Sequence, residues 1–303
     1  MKNLSKILLF SFLVLLHSCS SSDDDLNPSN SNNNNTTSGN TSGNIGNNGT
    51  GTNSQNNPVG SDGDITLYRV QGENIFKIVD YQVSGQNLAY QQDTQEHQKL
   101  WRLVKKIIPV NHRTKIGEFL IYNGSVNNTN GLSVQINNDL SKWKLGLAIN
   151  NAKGDQQKLI YTIVHEFGHI LTLNNSHINS MIRENNCTNF YSYLGCSKSN
   201  SYINKFQNQF WLGIWDSFLV AQDNGSLGIQ NFYNTYNNHF LTSNSAINPE
   251  EDIADVFATF VTRKNNSNEN SITEQKIQFM YNYSELVSLR NYIRTNLGAT
   301  SGG

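Results

Sequence analysis

The stretch that most constrains the fold of this chain is Gln156–Leu173, where apolar residues recur at the spacing of an α-helix. On a helical wheel these apolar residues share one arc, which we expect to face the core: Leu159, Ile160, Ile163, Val164, Phe167, Ile170 and Leu171. His165 and His169 fall on the opposite side of the wheel. Because a helix turns once in 3.6 residues, their imidazoles lie one above the other, on a face away from the predicted core.

His165, Glu166 and His169 form the pattern H-E-x-x-H, which combines metal-binding residues with a base. Two neutral imidazoles at this spacing can share one tetrahedral Zn²⁺ ion. Glu166 follows His165 directly, so its carboxylate can take a proton from a zinc-bound water. The pattern predicts one zinc ion, with Glu166 as the general base. The competing interpretation is a pair of histidines on a solvated helix face.

A catalytic zinc site needs a third protein ligand and leaves a fourth position open. The first candidate is Glu251, which lies near the start of a second predicted helix and shares a helical stripe with Asp255. Asn248 suits the N-cap of that helix, and acidic residues favour any helix N-terminus, so Glu251 also has an ordinary structural explanation. The second candidate is His177, whose alternative is a surface loop histidine.

The two predicted helices together resemble the zinc-binding helices of the gluzincins, a branch of the zincin metallopeptidases. In gluzincins a ligand Glu precedes an Asp by four residues, so the resemblance implies that Glu251 binds zinc and that Asp255 orients His165 through its second ring nitrogen. It also implies that a downstream Tyr or His binds the developing oxyanion; the candidates are Tyr233, Tyr236 and His239. The long connection from residue 170 to residue 250 departs from many gluzincins and predicts an inserted substructure.

The metzincin branch of the zincins offers a different completion of the site, in which a third histidine follows the first helix. The chain departs from that pattern, since Thr172 and Asn175 occupy the positions of the metzincin Gly and His. His177 lies two residues too late. We therefore retain His177 as the alternative third ligand and Glu251 as the predicted one.

The segment before the H-E-x-x-H helix predicts an α+β domain. Strand-like patterns cover residues 65–70, 75–79, 116–122, 134–136 and 143–150, and residues 94–108 have helical spacing. This order resembles the upper lobe of the zincins, which implies a twisted mixed sheet above a mostly helical lower lobe that includes residues 271–297. The resemblance also implies that residues 147–150 form the sheet edge that pairs with an extended substrate.

The N-terminal region predicts export and lipid attachment. Lys2 and Lys6 precede an apolar run at residues 7–16, which is shorter than the about 20 residues that span a bilayer, so residues 1–18 are predicted to be a signal peptide. Residues 16–19 resemble a bacterial lipobox, which implies lipidation of Cys19; an ordinary signal peptide is the alternative. Residues 19–62 are rich in Asn, Ser and Gly and predict a flexible tether, while residues 63–303 are long enough for one core-bearing domain.

Composition narrows the partners and the cellular location. The net charge of −1 and the 15% of charged residues give no reason to expect nucleic acid or electrostatic membrane binding. An acidic run at residues 23–25 resembles a surface-export signal, so we expect an outer-membrane lipoprotein exposed at the cell surface and held by its lipid alone. Outside the cytoplasm Cys187 and Cys196 could form a disulfide, although two free thiols are the alternative.

The predicted function is zinc-dependent hydrolysis of a peptide or protein substrate. The alternative is a binding lipoprotein of a surface uptake system, non-catalytic or built on a structural zinc ion. Glu166 favours hydrolysis, because a structural zinc site has no need of a base at that position.

Overall fold

The computed structural model describes residues 57–61, 63–264 and 270–298, which form an α+β fold. The predicted signal peptide, Cys19 and residues 19–56 of the predicted tether lie outside the described residues. Within the described part of the chain, no helix combines the length and apolar character that a membrane span requires.

A five-stranded mixed sheet forms one side of the fold, with the strand order β2-β1-β3-β5-β4. Only β3 and β5 pair in parallel; the other neighbours are antiparallel. The strands are β1 (Asp64–Gln71), β2 (Asn74–Asp80), β3 (Ile116–Tyr122), β4 (Gly131–Gln135) and β5 (Trp143–Ala148). A small three-stranded sheet in the order β6-β8-β7 follows, with β6 (Ile178–Asn179), β7 (Tyr191–Ser192) and β8 (Gly195–Ser197).

Helices form most of the rest of the described chain. Before and beside the sheet lie α1 (Gly85–Gln92), α2 (Thr94–Ile107), α3 (Val110–Arg113), α4 (Ile149–Ala152) and α5 (Gln156–Leu173). The C-terminal half contains α6 (Tyr202–Phe210), α7 (Trp215–Asp223), α8 (Gly225–Thr235), α9 (Pro249–Thr262), α10 (Ile272–Tyr281) and α11 (Ser284–Asn296). The predicted strands and helices are thus present, with short helices added between them.

The sheet order corrects the prediction that residues 147–150 form the substrate-facing edge. β5 lies inside the sheet, between β3 and β4, and residues 149–150 already belong to α4. Among the described strands, the edge next to β5 is β4, which pairs with β5 alone. Local spacing predicted both strands, but the order of strands depends on how the β4–β5 hairpin folds back, which the spacing does not specify.

α5 corrects a second prediction, that His165 and His169 lie away from the core. From Leu159 to Leu173 every residue of α5 except Tyr161 is buried. The histidine side of α5 packs against α9, where Gly168 faces Ala254 and a Cβ at position 168 would lie 3.2 Å from the Ala254 Cα. The glycine therefore lets the two helices approach closely enough for their polar side chains to meet.

Candidate metal centre

α5 and α9 bring three potential metal ligands together in one buried group: His165, His169 and Glu251, which we call the metal triad. The Nε2 atoms of His165 and His169 lie 3.1 Å apart. The Glu251 carboxylate oxygens lie 3.3 Å from His165 Nε2 and 3.5 Å from His169 Nε2. The third ligand predicted from the second helix is therefore beside the first two.

The spacing and chemistry of the metal triad fit a zinc ion. Tetrahedral zinc with ligands at about 2.0–2.2 Å separates neighbouring ligand atoms by about 3.3–3.6 Å, close to the distances in the triad. Glu251 Oε2 is buried and has no hydrogen-bond partner, which is unusual for a carboxylate unless it serves another purpose. Two imidazole nitrogens and a carboxylate are a donor set typical of catalytic zinc.

The start of α9 serves Glu251 in two ways at once. The side chain of Asn248 accepts a hydrogen bond from the Glu251 main-chain N–H at 2.7 Å, so the predicted N-cap is present. The Glu251 side chain is left to reach the histidines. Burial alone would raise the pKa of Glu251, but the charges of His169 and His165 and their close approach to the carboxylate outweigh it, so the pKa is lowered and the carboxylate is ionised.

A buried ion pair fixes the first turn of α9. Lys276 Nζ donates to Asp252 Oδ2 at 2.5 Å and to the main-chain oxygen of His239 at 2.6 Å, and the Trp211 indole N–H donates to the same carboxylate oxygen at 2.8 Å. The ammonium lies 4.6 to 6.0 Å from the centres of four rings: Phe206, Phe210, Trp211 and Phe240. This cluster holds α9 against α10 and so fixes the position from which Glu251 extends.

Asp255 lies one turn along α9 and contacts His165 from behind. Its Oδ1 is 2.8 Å from His165 Nδ1 and 3.1 Å from the Tyr161 hydroxyl, and its Oδ2 accepts from Thr242 at 2.6 Å and Ser245 at 2.7 Å. Burial would raise the pKa of Asp255, but the charge of His165 and these hydrogen bonds lower it. An ionised Asp255 accepts the Nδ1 proton, which leaves the Nε2 lone pair of His165 for the metal triad.

Glu166 lies beneath the edge strand β4. It is buried, and its Oε2 accepts a hydrogen bond from the Ser133 hydroxyl at 2.6 Å. Burial raises the pKa of Glu166, while the neighbouring His165 and His169 and the Ser133 hydrogen bond act in the opposite direction. A carboxylate with a raised pKa beside a metal site is suited to accepting and returning a proton near neutral pH.

Tyr193 is a site residue that the sequence reasoning missed. It lies in the turn between β7 and β8, and its main-chain N–H donates to the Glu250 carboxylate, next to Glu251. Burial, then the charges of Glu250, Glu251 and Glu166, raise the pKa of its phenol. The residue is nevertheless 55% exposed.

The predicted disulfide is present and closes the segment that carries Tyr193. Cys187 is bonded to Cys196 in β8. Gly195, beside it, has φ +136, and a Cβ there would lie 2.6 Å from the Asn179 oxygen of β6. The two cysteines were the signal that this segment is fixed, but their spacing did not indicate which way its turn points.

The alternative ligand and the predicted oxyanion residues lie elsewhere. His177 is not part of the metal triad; its ring packs on Tyr202 at 4.7 Å, and burial lowers its pKa to about 4. Tyr236 contacts Ser217 and His239, while Tyr233 packs against the apolar core. In the described part of the chain, no contact joins Tyr233, Tyr236 or His239 to the triad, so the geometry does not favour them as oxyanion donors.

Comparison with known proteins identifies no relative, since no family model, no curated protein and no solved structure matches this chain.

Proposed function

We propose that this protein is a zinc-dependent metallopeptidase of the gluzincin type. The observation that carries the proposal is the metal triad, whose three donor groups lie 3.1, 3.3 and 3.5 Å apart. Glu166 directly follows His165 in the chain. A zinc ion in this site would lower the pKa of a coordinated water and polarise the carbonyl of the bond to be cleaved. The proposed fold is zincin-like, with the main sheet and α5 as the upper lobe and the C-terminal helices as the lower one.

The side chains around the triad have separate roles in this proposal. Glu166 takes the proton of the attacking water and passes it to the leaving amine. Asp255 holds His165 in the ring orientation that binds metal. Tyr193, whose main-chain N–H donates to the Glu250 carboxylate beside Glu251, replaces Tyr233, Tyr236 and His239 as our candidate for stabilising the oxyanion.

The free edge of β4 supports an extended peptide as the substrate. Hydrogen bonds from Ala148 to Asn130 and from Ile136 to Lys142 flank the β4–β5 ladder. Main-chain groups alternate in direction along a strand. Those of the even-numbered residues therefore face β5, and those of Gly131, Ser133 and Gln135 face away from it. A peptide could add to that edge as a further strand and pass beside the triad.

We also propose that the domain is an outer-membrane lipoprotein, attached through Cys19 and a flexible tether and exposed at the cell surface. The support is the signal-like start of the chain and the composition of residues 19–62. Mass spectrometry of the exported protein would test lipidation, since a Cys19→Ser variant should lose the lipid mass.

The test of the peptidase proposal is hydrolysis of a library of quenched fluorescent peptides by the zinc-loaded protein. We expect turnover by the natural sequence and a loss of about 10²–10⁴-fold in Glu166→Gln, because the amide cannot act as a base. Zinc content should be equal in the two proteins. Bound zinc without turnover on any peptide would refute the proposal and favour the binding lipoprotein; equal turnover in Glu166→Gln would refute the role of Glu166.

A further inference from the structure

The edge strand β4 contacts Glu166 through one side chain, that of Ser133. The Ser133 hydroxyl oxygen lies 2.6 Å from Glu166 Oε2 and 3.1 Å from the Glu166 main-chain oxygen. A hydroxyl has a single proton to donate. The carboxylate oxygen is the closer and stronger acceptor of the two, so it receives that proton. Ser133 therefore holds one oxygen of the Glu166 carboxylate.

Gly131 makes room for this arrangement two residues earlier on the same strand face. A Cβ at position 131 would lie 2.7 Å from Glu166 Cγ and 2.6 Å from Thr162 Cγ2, closer than such atoms can approach. Alternate residues of a strand point to the same side, so positions 131 and 133 both face α5. Gly131 leaves space for the Glu166 side chain, and Ser133 binds its carboxylate.

The same two residues present their main chain to the free edge of the sheet. Gly131 and Ser133 have N–H and C=O groups that point away from β5, because the flanking ladder hydrogen bonds involve Asn130 and Ile136. An added peptide strand would therefore bind the main chain of the residue whose side chain holds Glu166.

We propose that Ser133 is a positioning residue that links docking of an extended peptide at β4 to the orientation of the general base. The proposal rests on the peptidase function proposed above and adds a residue to it. The main chain of Ser133 binds the main chain of the substrate strand and so fixes its position along β4. The hydroxyl of Ser133 fixes the orientation of the Glu166 carboxylate. Ser133 thus positions both Glu166 and the scissile bond of the substrate.

The kinetic test compares Ser133→Ala, Ser133→Thr and Ser141→Ala in the zinc-loaded protein. Ser141 lies in the turn of the same β4–β5 hairpin and serves as the matched control. We expect kcat of Ser133→Ala to fall roughly 10- to 100-fold with KM and zinc content unchanged, because misplacement of a catalytic group reduces the rate without reducing binding. Ser133→Thr, which keeps the hydroxyl, should recover most of kcat, and Ser141→Ala should match the natural sequence.

The proposal is overturned if kcat of Ser133→Ala stays within about twofold of the natural value, or if the loss appears in KM alone. Loss of zinc or failure of Ser133→Thr to recover activity would also overturn it, because both would indicate a general structural role.

The orientation of Glu166 in crystal structures tests the positioning role of Ser133 without an activity measurement. In crystal structures of the zinc-loaded proteins, Glu166 should keep one orientation in the natural sequence and in Ser133→Thr, and should turn away or adopt several orientations in Ser133→Ala. An unchanged carboxylate in Ser133→Ala would refute the positioning role. If the natural protein hydrolyses no peptide, the peptidase proposal fails, and the orientation of Glu166 still tests Ser133.

Discussion

At the scale of single residues, His165 depends on groups that are distant in the chain. Asp255 contacts its Nδ1, and Thr242 and Ser245 donate to the far oxygen of Asp255. The sequence predicted Asp255, because a helix brings it onto the stripe of Glu251. It could not predict Thr242 and Ser245, which lie in an irregular segment before α9 where no periodicity determines the path of the chain.

We predict that Asp255→Asn weakens zinc binding by about 10- to 100-fold, because His165 loses the partner that fixes its tautomer and orientation. Competition with a fluorescent zinc chelator measures the change in Kd. Asp216→Asn, an exposed change on α7, is the matched control and should bind zinc like the natural sequence. Unaltered zinc affinity in Asp255→Asn would remove Asp255 from the site.

At the scale of elements, helical spacing predicted α5 and α9 but not the surface they share. The wheel of α5 identified the apolar arc correctly and placed the histidine side away from the core, because it scores side chains by polarity alone. His165 and His169 are buried because the carboxylates of α9 face them. Polar pairing between two helices has no periodic signature in either helix, so the burial had to come from the structure.

The hairpin β7–β8 carries a prediction of its own, because its disulfide closes the segment in which the Tyr193 main chain contacts Glu250. Replacing Cys187 and Cys196 by Ser should cost roughly 2–3 kcal/mol of stability for a loop this short. We also expect lower peptide turnover with zinc content unchanged, since Tyr193 loses its fixed position.

Two single substitutions distinguish the effect of the Tyr193 hydroxyl from that of the hairpin as a whole. Tyr193→Phe should reduce kcat by roughly 10²-fold if its hydroxyl stabilises the oxyanion. Tyr191→Phe in the same hairpin should leave kcat unchanged. Full activity in both Tyr193→Phe and the Cys187→Ser/Cys196→Ser protein would show that the hairpin has no part in catalysis.

At the scale of the whole molecule, the α+β class followed from the order of the predicted elements. The path of the chain between α5 and α9 did not follow from it. The connection between α5 and α9 contains the small sheet and α6, α7 and α8. Aromatic residues of this connection surround the buried pair of Lys276 and Asp252, which had no signal in the sequence. A buried charge requires a partner of opposite charge. Lys276 and Asp252 lie on different helices, so helical spacing could not predict that they pair.

Histidines outside the triad make the stability of the whole fold depend on pH. Burial lowers the pKa of His97, His112, His177 and His239, in the case of His177 from 6.5 to about 4. Below about pH 6.5 the unfolded chain binds protons at these positions and the folded protein does not, so acid favours unfolding. We predict that Tm falls as the pH drops from about 6.5 towards 4. His177→Gln should show a smaller fall than the natural sequence, and equal slopes for the two proteins would contradict the assignment.

The most direct measurement of the metal centre is the zinc content per chain after exhaustive dialysis, determined by mass spectrometry of the metal for the natural sequence, Glu251→Ala and His177→Ala. The geometry of the triad predicts one zinc ion per chain in the natural protein and in His177→Ala, and loss of zinc in Glu251→Ala with the fold intact by circular dichroism. Retention of zinc by Glu251→Ala, together with its loss from His177→Ala, would contradict the proposed centre.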